Sequence, residues 1–202
     1  MKDIIIASRN RGKIGEIRSM LAECGVTLRS LDEYPNLPEV SEDGNSFLDN
    51  ALKKAKQVAE LTGKTVLADD SGLEVDALGG APGIHSARYA GGGADDETNV
   101  RKLLGELQGV PPGKRGAAFR CVLVLCRPDG RFHVFDGKWE GRIAEAPAGK
   151  GGFGYDPVFY LPGEGATAAE LPAGIKNRIS HRAKAAAKLR RWLRERTDEN
   201  GA

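Results

Sequence analysis

The run Ile4-Ile5-Ile6-Ala7 has no polar position, which predicts a strand buried on both faces, and it leads straight into the polar stretch Ser8-Arg9-Asn10-Arg11-Gly12-Lys13. Apolar residues then recur at helical intervals, at Ile14, Ile17, Leu21 and Cys24, with Gly25 as the stop signal. A second helix is predicted over about residues 46–61. Beyond it, Thr65-Val66-Leu67-Ala68 predicts another buried strand, ending in Asp69-Asp70-Ser71-Gly72. A glycine-rich loop covers residues 78–93, and the helix after it, at about 95–107, puts Val100, Leu103, Leu104 and Leu107 on one face. Residues 119–126 and 132–139 read as two strands joined across the turn Arg127-Pro128-Asp129-Gly130. A last helix opens near Ser180 and has Ala183, Ala187, Leu189 and Leu193 at its apolar positions. Helical and extended patterns thus mix without a long linker or a repeat. The fold class is α/β, a mixed central sheet flanked by helices, in a single domain over residues 1–197 with a short tail at 198–202.

Composition narrows the class. A chain of 202 residues is long enough to bury a sizeable core, and a formal charge of +2 gives no reason to invoke a nucleic acid or a membrane surface as partner. The basic run Lys184, Lys188, Arg190, Arg191, Arg194 and Arg196 reads as a solvated helix face. Cys24, Cys121 and Cys126 form neither a metal-ligand spacing nor an even disulfide set, which suits a reducing, cytoplasmic setting. No cleavable hydrophobic segment opens the chain and no apolar run approaches ~20 residues, so neither secretion nor membrane insertion is expected.

Four constellations carry candidate chemistry. Gly151-Gly152-Phe153-Gly154-Tyr155-Asp156-Pro157 sets two aromatics and a carboxylate on bare backbone. A flat ring can stack on Phe153 or Tyr155 while Asp156 accepts a hydrogen bond at its edge; the alternative is a turn with its aromatics in the core. The loop at Ser8, Arg9, Asn10, Arg11, Gly12 and Lys13 feeds a helix N-terminus, which favours an anion, with Lys13 as a point charge; the alternative is a capped turn. It is not a Walker loop, because no Gly-x-x-x-x-Gly-Lys-Ser/Thr occurs. The adjacent Asp69 and Asp70, with Glu42 from a second acidic cluster, suit Mg²⁺, which takes one or two carboxylates and fills its shell with water and phosphate; helix capping is the competing use of Glu42. Lys176, His181 and Arg182 supply cationic donors near the start of the last helix. Together these describe a nucleoside triphosphate with its metal.

In order along the chain, Ser-x-Asn-x-x-Lys at residues 8–13, Glu42-Asp43-Gly44-Asn45-Ser46-Phe47-Leu48-Asp49-Asn50-Ala51, Ala68-Asp69-Asp70-Ser71-Gly72-Leu73, Gly79-Gly80-Ala81-Pro82-Gly83-Ile84-His85-Ser86-Ala87-Arg88-Tyr89, Gly152-Phe153-Gly154-Tyr155-Asp156-Pro157 and Ser180-His181-Arg182 resemble the inosine/xanthosine triphosphate pyrophosphatase family. The resemblance runs from about residue 3 to 195. It implies an elongated two-lobed fold with the site in the cleft between lobes, Mg²⁺-dependent cleavage of noncanonical purine triphosphates to monophosphate and pyrophosphate, and a homodimer. It further implies Asp70 as general base or metal ligand, Glu42 in the metal site, and Lys13 and Lys176 on the phosphates with Ser8, Asn10 and Ser71 positioning them. Arg182 and His181 would face the purine carbonyl, Asp156 the ring hydrogen, and Phe153, Gly154 and Tyr155 the base plane. The rivals are a nucleotide-binding regulator, a nucleic-acid module and a house-cleaning pyrophosphatase for other nucleotides.

Overall fold

The computed structural model describes residues 2–198. Strand β1 (Lys2–Ala7) sends Ile4 and Ile6 to one face and Ile5 and Ala7 to the other, all of them buried. It lies between β2 (Val26–Ser30) and β3 (Thr65–Val75), parallel to both, with Ile4 opposite Leu28 and Ile6 opposite Leu67. Parallel neighbours need crossovers. Helices α1 (Arg11–Leu21) and α2 (Phe47–Thr62) lie in them. Asn10 Oδ1 caps α1 by accepting from the Lys13 N–H at 3.0 Å, and Ser46 Oγ caps α2 by accepting from the Asp49 N–H at 3.1 Å. Each cap satisfies a donor that the first helical turn leaves without a partner.

The remaining elements are α3 (Asp96–Glu106), β4 (Gly116–Cys126), β5 (Phe132–Ile143), β6 (Phe159–Leu161), β7 (Ala166–Thr167), α4 (Ala173–Ile179) and α5 (His181–Asp198). They complete one mixed seven-stranded sheet in the order β2-β1-β3-β4-β5-β6-β7, with β6 antiparallel to both β5 and β7. The chain forms two compact units: one holds the residues up to Asp70, residues 121–137 and those from His181 onward, and the other holds Ser71–Arg120 and Lys138–Ser180.

In the first unit the sheet is buried on both faces. Ile4, Ile6, Leu67, Leu123 and Leu125 form one cluster with Ile17 of α1 and Leu189 of α5, while Ala51, Ala55 and Val58 of α2 cover Ile5, Ala7 and Val66. In the second unit Leu73 and Val75 pack with Val100 and Leu103 of α3, and Phe119 and Phe159 meet at 4.5 Å between ring centroids. The buried Arg115 donates to the carbonyls of Leu107, Val110 and Ala144, at 2.9, 3.0 and 3.2 Å, and ties the loops of this unit to β4.

The expected elements are present with two notable differences. β3 does not end at Ala68: Asp69, Asp70, Ser71 and Gly72 lie within it and it continues to Val75. Of the apolar positions expected on the last helix, Ala187 is exposed while Ala183, Leu189 and Leu193 are buried. β2, β6, β7 and α4 are additions to the expected set. Asp198 closes α5, and the rest of the expected tail lies outside the described residues. Among the described residues no helix is long and apolar enough to cross a membrane.

Candidate active site

The first unit gathers the acids of β3 with three cations. Asp69 is fully enclosed, with Lys13 Nζ of α1 at 2.7 Å from Oδ1 and Arg182 Nε of α5 at 2.9 Å from Oδ2. The Cys121 thiol also donates to Oδ2, at 3.4 Å. Burial alone would raise the Asp69 pKa, but the charges of Arg182 and Lys13 outweigh it and hold the carboxyl well below the usual carboxylate range. Asp69 is therefore a fixed anion. Cys121 moves the opposite way, because burial and the Asp69 charge push its thiol well up and keep it protonated.

Asp70 lives differently, although it is the next residue. Alternation along a strand sends neighbouring side chains to opposite faces, and Asp70 meets Lys54 of α2 where Asp69 meets Lys13 and Arg182. Lys54 Nζ stands 3.5 Å from Asp70 Oδ1, 2.6 Å from Glu42 Oε1 and 2.8 Å from the Asp69 carbonyl oxygen. Asp70 Oδ2 is buried and has no hydrogen-bond partner among the described residues. Burial raises the Asp70 pKa, and Lys54 and Lys13 offset that only in part. Lys54 itself is disfavoured as a cation by burial, but Asp70, Glu42 and Asp69 overcome this and leave its pKa raised. Arg182 also donates to Glu16 of α1. Lys13, Lys54 and Arg182 thus pair with Glu16, Glu42, Asp69 and Asp70.

The second unit builds the aromatic loop. Asp156 Oδ2 accepts from the Phe153 N–H at 2.9 Å and from Lys176 Nζ of α4, and the Lys176 ammonium lies 4.8 Å from the centre of the Phe153 ring. From α3, Asp96 Oδ2 accepts from the Gly154 N–H at 2.6 Å. Gly152 has φ +73°, and a Cβ there would stand 2.0 Å from Asp156 Oδ2, so glycine is required for the loop to close over its carboxylate. Beside Phe153 is a hollow of about 280 Å³ lined by Asp96, Val100, Pro147, Lys150 and Pro157.

The geometry gives several of the expected residues a partner within the protein. Arg182, expected at the base, is 1% exposed and its guanidinium is engaged by Asp69 and Glu16. Asp156, expected at the ring hydrogen, is 2% exposed and accepts from the loop backbone and Lys176. Lys176 was expected on the phosphates, and it is part of the Phe153 group. Tyr155 is buried and its hydroxyl donates to the Ser86 carbonyl at 2.8 Å, which leaves Phe153, half-buried, as the ring for stacking. Asn10 caps α1, and Ser8 Oγ accepts from the Asn10 N–H at 3.2 Å. Arg9 and Arg11 are exposed, Gly12 lies in the first turn of α1, and Ser71 is half-buried in β3.

His181 is buried at the start of α5, where β5 passes so close that a Cβ on Gly137 would stand 2.0 Å from the His181 carbonyl oxygen. Lys54, Glu16 and Asp96 are additions to the expected set. Lys54 had a signal: it falls on the same helical face as Asn50, Ala51, Ala55 and Val58, a position where a solvated lysine does not belong.

The profile of the Ham1 family matches residues 4–192 of the chain. A dITP/XTP pyrophosphatase of Geobacter sulfurreducens is 52% identical over 193 residues, covering 96% of this chain and 97% of the relative. A dITP/XTP pyrophosphatase of Desulforamulus reducens is 53% identical over 90% of each chain. The structure of a HAM1 protein from Coxiella burnetii superposes with a TM-score of 0.88 at 41% identity, over 96% of this chain and 100% of that one.

Proposed function

The chain belongs to the Ham1 family, and from that premise we propose that it is a dITP/XTP pyrophosphatase, a hydrolase that cleaves noncanonical purine nucleoside triphosphates, dITP, ITP and XTP, to the monophosphate and pyrophosphate. The observation that carries the chemistry is the asymmetry of the two adjacent acids. Asp69 is fixed between Lys13 and Arg182, while Asp70 keeps a buried oxygen with no hydrogen-bond partner.

The same observation fits Mg²⁺. An orphaned buried carboxylate oxygen on Asp70 and a second carboxylate on Glu42 beside it suit a hard cation. Among the described residues no three His, Cys, Asp or Glu side chains stand together to hold a metal, so two carboxylates would hold the ion and leave room for water and phosphate oxygens. When bound, the ion would neutralise charge on the phosphates and favour departure of pyrophosphate.

Hydrolysis needs a water at the α-phosphorus, a proton acceptor, and cations for the phosphate charge. Asp70 has a free oxygen in a buried setting and takes either the proton or the metal. Asp69, locked as an anion, orients Lys13, and Lys13 and Lys54 supply positive charge to the phosphates. Arg182 acts through Asp69 as a positioning residue. For the base, Phe153 offers a stacking face and Lys176 donors only, which suit the 6-carbonyl of hypoxanthine or xanthine and not the 6-amino group of adenine. Asp156 and Asp96 hold that loop in shape. A homodimer and a cytoplasmic location complete the reading, the latter supported by three free cysteines.

The test is incubation of the purified protein with Mg²⁺ and a panel of nucleoside triphosphates, with product identification. The reading predicts pyrophosphate and monophosphate from dITP and XTP, with ATP disfavoured by on the order of 10². Release of orthophosphate, or equal turnover of ATP, would overturn it.

A further inference from the structure

The Lys54 ammonium sits between the two carboxylates assigned above to the divalent cation. It touches Glu42 Oε1 at 2.6 Å and the Asp69 carbonyl at 2.8 Å, and approaches Asp70 Oδ1 at 3.5 Å, so three oxygens surround one positive charge. Two of those oxygens belong to the carboxylates assigned above to the metal. Magnesium binds oxygen at about 2.0–2.1 Å in a near-octahedral shell, so an ion held by Asp70 Oδ2 and Glu42 competes with the ammonium that the same two carboxylates hold through Asp70 Oδ1 and Glu42 Oε1. Lys54 is buried on the inner face of α2 with Ala51 and Ala55, and its ammonium ends a flexible four-carbon stem.

We propose that Lys54 is a built-in placeholder for the divalent cation: in the metal-free protein its ammonium holds Glu42 and Asp70 together, and entry of the metal expels it toward the substrate phosphates. The inference rests on the metal reading given under Proposed function. Its consequence is coupling. Metal alone must displace an ion pair and binds weakly, whereas metal arriving with a triphosphate gives the displaced ammonium a new anion. Metal and nucleotide therefore reinforce each other, and by linkage the effect is reciprocal. The ammonium offsets part of the charge of the two acids when the nucleotide is absent, which disfavours stray divalent cations between turnovers.

The experiment is a Mn²⁺ titration of nucleotide-free protein, read from the paramagnetic resonance of free Mn²⁺, for wild type, Lys54→Met and Lys64→Met. Lys64 is exposed just past the end of α2, and its replacement controls for loss of one charge. Lys54→Met should bind Mn²⁺ about tenfold or more tighter than wild type, within the usual span of such couplings, and Lys64→Met should match wild type. In thermal unfolding, Lys54→Met should melt below wild type without metal and gain more from Mn²⁺. Lys54→Gln, which keeps a donor for the Asp69 carbonyl, serves the same comparison if the methionine variant does not fold. A nonhydrolysable α,β-imido analogue of dITP should tighten Mn²⁺ binding more in wild type than in either variant.

Equal or weaker Mn²⁺ binding by the Lys54 variants would overturn the placeholder and leave the metal reading intact. Absence of saturable Mn²⁺ binding in every protein would overturn both. Equal tightening by the analogue in wild type and variants would remove the coupling.

Discussion

Replacing Arg182 by Met tests whether this side chain holds Asp69 or reads a base. The guanidinium is enclosed, with Nε 2.9 Å from Asp69 Oδ2 and a second contact to Glu16. Breaking a buried ion pair by removing one partner costs about 3–5 kcal/mol, because the remaining charge stays buried. Lys13 still stands 2.7 Å from Asp69 Oδ1, so the loss should fall at the low end, about 3 kcal/mol. For a chain of this size that corresponds to a fall in Tm of roughly 6–12 °C. Urea unfolding of wild type, Arg182→Met, Asp69→Asn and the double variant closes a cycle, and the double variant should lose clearly less than the two single losses added together.

The pH dependence has a fixed sign. Asp69 has a depressed folded pKa, so its stabilisation is complete above the unfolded value of about 3.9 and is lost as pH falls through the folded value. The gap between wild type and Arg182→Met should therefore be full at neutral pH and narrow in acid below about pH 4. With dITP and ATP as substrates, the variant should lose kcat on dITP while the ratio of dITP to ATP efficiency stays unchanged. A stability loss below about 1 kcal/mol with additive single variants, or a collapse of that ratio, would refute the positioning role.

Lys176→Met removes the donor beside Phe153, and the ratio of dITP to ATP efficiency should narrow by about tenfold or more in steady-state kinetics. Asp96→Ala frees the Gly154 N–H, so KM for dITP should rise about tenfold with kcat little changed, as expected for loss of an interaction that serves ground and transition state alike. Gly152→Ala forces a side chain against Asp156 at a left-handed backbone position, and chemical denaturation should show a loss of about 1–3 kcal/mol.

Much of this was legible from the residues because periodicity reports burial. The uninterrupted Ile4-Ile5-Ile6-Ala7 run gave a strand covered on both sides, and the i, i+3, i+7 spacing of Ile14, Ile17 and Leu21 gave α1. β2 was hidden because its residues are mostly half-buried and lack an apolar run, and β6 and β7 are only three and two residues long. β3 outran its expected end because acids usually mark a loop, and here buried cations from distant segments make them tolerable inside a strand. The same reason limits the site. Asp69, Asp70, Lys13 and Arg182 could be named from their motifs, but the pairing of Arg182 with Asp69 joins residues 113 positions apart, and no local pattern encodes it. Phe153 and Tyr155 were equivalent as candidate rings until the Tyr155 hydroxyl was found on the Ser86 carbonyl.

The most direct test of the central claim is hydrolysis of dITP with Mg²⁺ in water enriched in ¹⁸O, with the label located by mass spectrometry. Attack of water on the α-phosphorus, with pyrophosphate leaving, predicts one ¹⁸O in the monophosphate and none in the pyrophosphate. Label in the pyrophosphate would place the attack on the β-phosphorus, and label in orthophosphate would show a different cleavage; either result would contradict the account.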